Sequence, residues 1–185
     1  MKAILILLSF LLVALSPKLT QAQSDLGLGK LKIAYSTLHS ISLQLVENES
    51  KLENVIKELS IIPTMRKDKT EMLTIMGILG IFREMLVMIH YEYMLIGTTI
   101  SIKEDHLVDF SIMRMTELNN LRKRKDSFLQ RIQFLTAQIK NNDVLNQINE
   151  ANKIILSSFE MLQLSNDTYN DITKMTINSN EKTVK

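Results

Sequence analysis

The stretch LKIAYSTLHSISLQLVENESKLENVIKELS, residues 31–60, decides the fold. Leucine returns every seven residues, at Leu31, Leu38, Leu45, Leu52 and Leu59. A second set, Ala34, Ile41, Asn48, Val55 and Ile62, is interleaved with it. Alternating spacings of three and four bring both sets onto one narrow stripe of a helix, the pattern of a coiled coil or a long bundle helix. Asn48 puts an amide on that stripe. It either sets the register at some cost in stability or lies at the margin, partly exposed.

Working outward, the punctuation is sparse. Pro63 is the one proline after the N-terminal segment, and it ends the first helix, which spans roughly Asp25 to Leu59. A second helix begins at Thr64 or at Asp68, where Asp68-Lys69-Thr70-Glu71 has capping-box spacing. Gly97-Thr98-Thr99 ends it near Ile96, and Ser101 to Glu104 has the spacing to cap a third. That third helix, about Glu104 to Lys140, repeats through Leu118, Leu121, Phe128, Ile132, Leu135 and Ile139, with Lys125 filling one position. Asn141-Asn142-Asp143 breaks the chain, and a fourth helix runs from about Val144 to Met175 through Ile148, Ala151, Ile155, Leu162 and Tyr169. The expected fold is all-α, an elongated antiparallel bundle of three or four helices over 23–175, followed by a disordered polar tail over 176–185.

The N-terminus reads as an export signal. Met1-Lys2 is positive, Ala3 to Leu15 is almost wholly apolar, and Ser16-Pro17 breaks the run. Thr20 and Ala22 then stand at the −3 and −1 positions of a cleavage before Gln23. This is the layout of a secretory signal peptide over 1–22, with an apolar core short for a membrane span. The chain has no cysteine, so disulfides and thiolate metal sites are excluded, and an exported domain without disulfides points towards a bacterial periplasm or envelope. The sequons at Asn48 and Asn166 are read as chance.

Lys2 and Lys18 account for two of the 22 basic residues, so the mature chain has 20 basic against 20 acidic side chains. With no surplus of positive charge, nucleic acid is not an expected partner. The basic run Arg122-Lys123-Arg124-Lys125 points in all directions around a helix. It is a solvated face, or else a contact for anionic headgroups or an acidic partner.

No catalytic or metal-binding pattern emerges. A di-iron bundle needs glutamate three residues before histidine, and those positions hold Ser36, Val87 and Lys103 ahead of His39, His90 and His106. There is no His-Glu-x-x-His, calcium loop, nucleophile elbow or phosphate loop. No enzyme, cofactor or metal is expected.

The second helix is the anomaly. Between Met72 and Ile100 apolar side chains cover most of the circumference, more than one core-facing stripe can bury. It is central to its own bundle, covered by another subunit, or inserted in a membrane. Arg83, Glu84, His90 and Glu92 make membrane insertion marginal, since each central charge costs about 2.5–3.5 kcal/mol and each Leu, Ile or Phe returns about 0.3–0.6. Its methionines suit an adaptable contact surface. The expected partner-binding residues are Phe82, Met85, Ile89 and Met94, meeting a protein partner or a second copy.

In its signal segment, absence of cysteine, long first helix and apolar second segment, the chain resembles the periplasmic helical proteins of conjugative (type IV) secretion machines, including their minor pilus subunits. The resemblance is of layout and carries over no functional residue. It implies a structural or adhesive, non-enzymatic role in an envelope assembly. The alternative is a free-standing periplasmic bundle that holds a small apolar ligand or a partner helix. Protein recovered from the envelope should begin at Gln23. Mass spectrometry showing an intact Met1 terminus there would overturn both the localisation and the neutral mature charge.

Overall fold

The structure, a computed structural model, describes the backbone of 2–65, 68–102 and 104–183, with side chains over 29–62, 68–102 and 106–175. It has four helices: α1 (Lys2–Met65), α2 (Lys69–Ser101), α3 (Glu104–Thr136) and α4 (Asn142–Thr183). Each packs against its neighbours in chain order, and α4 returns to α1, with α2 and α4 touching across the diagonal. Cross-links give the directions. Glu49 and Ser60 of α1 meet His90 and Arg83 of α2, and Asn48 and Glu58 meet Ser158 and Gln147 of α4. Ascending numbers on one helix meet descending numbers on the next, so this is an antiparallel four-helix bundle.

The leucine stripe of α1 is the backbone of the core. Leu38, Leu45, Leu52 and Leu59 are fully buried, with Ala34, Ile41 and Ile56 beside them. Facing them are Ile148, Ala151, Ile155, Leu162 and Tyr169 of α4, and Leu118, Phe128, Ile132 and Ile139 from α3 and the turn after it. Asn48 is buried among them, and its Nδ2 donates to Ser158 Oγ at 3.1 Å and Ser157 Oγ at 3.3 Å. Ser158 Oγ in turn donates to the Ile154 carbonyl at 2.9 Å. A slip of one turn between α1 and α4 would strand that amide in apolar surroundings, so it holds the register.

Local chemistry sets the ends, in places differently from expectation. Asp68 caps α2, its Oδ1 accepting from Thr70 N–H at 2.9 Å and Glu71 N–H at 3.3 Å. Helix α1 extends past Pro63 to Met65, because a proline removes one donor without stopping the turn already formed. Gly97 does not end α2. It has no positive φ, and the hydroxyls of Thr98, Thr99 and Ser101 bond back to the carbonyls of Met94, Leu95 and Gly97. Ser101 therefore belongs to the last turn of α2 instead of capping α3. Helix α3 stops early, at Thr136, in a turn anchored by buried Ile139. Asn141 then caps α4, its Oδ1 accepting from Asp143 and Val144 N–H at 2.9 and 3.1 Å. Helix α4 reaches Thr183, beyond Met175, where the sequence reading ends the bundle and begins a disordered tail. The signal segment 1–22 and the tail 176–185 lie outside the residues whose side chains are described.

Leu45→Ala should lower stability by about 2–5 kcal/mol, the cost of truncating a leucine in a closed core. Glu47→Ala should leave the melting temperature unchanged, since Glu47 is exposed and holds only Lys51 one turn on. Thermal melts followed by circular dichroism compare the two.

Candidate functional site

Two features stand apart from ordinary packing. The first is a charge cluster inside the bundle. Arg114 lies on the inward stripe of α3 with none of its side chain exposed. One guanidinium nitrogen bonds Glu92 of α2, itself 2% exposed, and another bonds Glu117 one turn along α3. Nearby, Tyr169 OH of α4 lies 2.8 Å from Thr99 Oγ1 of α2, both fully buried. The cluster thus joins three helices.

Its electrostatics follow from one cation shared by two carboxylates. Burial raises the Glu92 carboxyl above its usual range, more than Arg114 lowers it, and the charge of Glu117 pushes the same way as burial. Burial likewise raises the Tyr169 phenol, against the smaller opposing effects of Thr99 and Arg114. Arg114 and Glu92 lie inside the bundle, while Glu117 reaches the surface with 44% of its side chain exposed. Chemically the cluster can hold three helices in register, and its geometry is that of a lock.

The second feature is the outer face of α2. Inwardly the helix buries Ile75, Ile78, Phe82, Met85, Ile89 and Ile96. Phe82, Met85 and Ile89, three of the four residues expected to bind a partner, are therefore core, and no partner reaches them without opening the bundle. Met94 is different. It is 55% exposed, in company with Leu73, Met76, Val87 and Tyr91 on the same helix. The apolar girdle of α2 is thus split between a face closed by its own chain and a face open to solvent. The sequence does not single out Leu73, Met76, Val87 and Tyr91 as the exposed apolar side, because periodicity alone does not say which of two apolar faces turns inward. By length and composition α2 also qualifies as a membrane span, but an apolar core helix passes the same test.

Other polar groups serve local ends. His90 points outward, its Nδ1 2.7 Å from Glu49 Oε1 on α1 and 3.0 Å from Tyr93 OH, whereas Glu92 points in to Arg114. In the basic run, Arg124 lies 3.4 Å from Glu84 and stacks over Phe128, while Lys125 lies over Phe159 of α4. A groove of about 330 Å³ between the C-terminal end of α3 and the start of α4 is lined by Leu129, Gln133, Thr136, Ala137, Asn149 and Asn152. It offers amides but no acid, base or histidine, and the Thr136 hydroxyl already donates to the Ile132 carbonyl. Among the described residues no cluster of three His, Asp or Glu gathers in metal-binding geometry. No protein-family model, curated protein or solved structure matches the chain.

The charge cluster makes a signed prediction. In the folded chain Glu92 keeps its proton at pH values where the unfolded chain has lost it. Its contribution to stability is therefore present at low pH and is lost as pH rises above the ordinary carboxylate range through the raised folded value. Against a Glu92→Gln control, wild-type protein should gain melting temperature on mild acidification, and the control should lack that slope. Arg114→Met should cost about 3–5 kcal/mol by stranding Glu92, and adding Glu92→Leu should recover much of it.

Proposed function

We propose that this chain is an exported, non-enzymatic interaction protein, a helical subunit of an envelope or secretion assembly of the conjugation type. The observation that carries the reading is the outward face of α2. A bundle that already has a full core nevertheless keeps Leu73, Met76, Val87, Tyr91 and Met94 at the surface of one helix. Solvated faces of bundle helices are ordinarily polar, and a contiguous apolar face on a soluble domain marks a contact site.

The rest of the molecule supports this division of labour. The Asn48–Ser158 and Glu92–Arg114 links hold the scaffold rigid, so that α2 presents its outer face without reorganising. A rigid apolar helix face can be covered by a partner at small entropic cost. The signal segment and the absence of cysteine support export into an envelope compartment.

The test separates face from core. Wild-type protein should elute in a high-mass complex on size exclusion of detergent-solubilised envelope, and Val87→Lys and Met94→Lys, both at exposed positions, should lose that complex while keeping wild-type helicity and melting behaviour. Phe82→Lys and Ile89→Lys should instead unfold the bundle, because each forces an ammonium into a closed core. Wild-type elution as a lone subunit, unaltered by either surface change, would remove the proposal.

A further inference from the structure

The outer face of α2 has a pattern finer than apolarity, and it fits a particular occupant. Leu73, Gly80, Val87 and Met94 recur every seven residues, with Met76 and Tyr91 beside them. At 1.5 Å per residue this stripe is about 32 Å long. Packing among the described residues does not require a glycine at Gly80. A methyl group added there meets no atom within 4 Å, and its φ is not positive. Apart from proline, glycine is the residue least suited to a helix interior, so its presence at an open position calls for another reason. A second helix crossing the stripe supplies one, because the missing side chain lets two backbones approach.

The charges choose that second helix. Arg83 and Glu84 stand at the middle of the stripe on opposite flanks. Arg83 lies towards α1, 3.5 Å from Ser60 Oγ, and Glu84 lies towards α3, 3.4 Å from Arg124 and 3.8 Å from Arg131. Both are solvent-exposed, and among the described residues Arg83 has one contact at 3.5 Å while Glu84 is shared by two arginines at 3.4 Å and beyond. If a second copy is laid against the stripe about a two-fold axis parallel to α2, the α1-side flank of each copy faces the α3-side flank of the other. Arg83 then faces Glu84 of the second copy, and the pair forms twice. A two-fold axis perpendicular to the helix brings like flanks together, and no antiparallel register sets Arg83 against Glu84. The stripe is therefore complementary to itself in one orientation. The same charges disfavour lipid as its cover.

We infer that the occupant is a second copy of this chain, paired through α2 in parallel, with each Leu73, Gly80, Val87 and Met94 against its own counterpart and two reciprocal Arg83–Glu84 ion pairs. This rests on the reading of α2's outer face as a contact surface and specifies the partner.

Because the chain has no cysteine, single-cysteine variants of the mature protein report geometry directly. Leu73→Cys and Met94→Cys, oxidised separately, should each give a covalent dimer. Their equimolar mixture should give 73–73 and 94–94 links but no 73–94 link. In sedimentation, Arg83→Glu and Glu84→Arg should each weaken the wild-type dimer about tenfold or more through like-charge contact, and mixing the two variants should restore it. Gly80→Leu should weaken it while leaving helicity intact. A 73–94 link, or wild-type protein that stays monomeric at its highest soluble concentration, overturns the inference. So does a monomer that floats with vesicles of phosphatidylethanolamine and phosphatidylglycerol. A monomer whose envelope complex is still lost with Val87→Lys would mean that a different protein covers the face. The parallel dimer then falls and the proposed function stands.

Discussion

Arg114 is a full charge in the middle of a helical bundle, and the arrangement of three helices follows from compensating it. A lone guanidinium there would be far too costly, so α2 must place Glu92 beside it and α3 must supply Glu117 from its own next turn. That requirement ties the C-terminal half of α2 to the N-terminal half of α3. The Tyr169–Thr99 bond carries the same constraint across the diagonal to α4. At the level of Asn48, an amide does for α1 and α4 what the ion pair does for α2 and α3. Neither link is a large source of stability, because a well-packed apolar replacement of a buried pair is often as stable. What they exclude are the slipped registers that a core of leucine and isoleucine would tolerate with little loss.

This division explains how much was legible in the chain. The seven-residue leucine repeat of α1 and its counterpart in α4 were readable because such a stripe has only one way to be buried. Most of the residues the period names are buried, although Val55 is only partly so and Ile56, which it does not name, is buried beside it. The polar interior was harder to see. Four residues before Leu118 and seven before Leu121, the α3 stripe holds Arg114. Glu92, however, is one of three glutamates of α2, with Glu71 and Glu84, and its pairing depends on the relative height of two helices, which no local pattern contains. Helix ends failed in the same way. Gly97 looks like a terminator, yet glycine stops a helix only when it takes a left-handed conformation, and here three hydroxyls carry α2 one turn further.

The placement of the contact face turns on the same missing information. Helix α2 is apolar on two sides, and a hydrophobic count cannot distinguish them. Phe82, Met85 and Ile89 are larger or more central than Val87, and so they look like anchors. They are anchors, but of the bundle's own core. What separates the sides is the three neighbouring helices. Once α1, α3 and α4 have covered the inward residues, the remainder defines an outer stripe of exposed apolar side chains with Gly80 among them.

The two faces of α2 are also physically coupled. Val87 and Ile89 point to opposite sides of α2, so a roll of the helix about its axis would shift both together. Glu92 fixes that roll from within by its bond to Arg114, and His90 fixes it at the rim through Glu49 of α1. These residues sit two apart and point to opposite sides, which is the arrangement that resists rotation in both directions. The buried charge and the outward stripe are then parts of one design. On the proposed reading of α2's outer face as a contact surface, the cost of burying Arg114 is offset by the fixed orientation it gives that face.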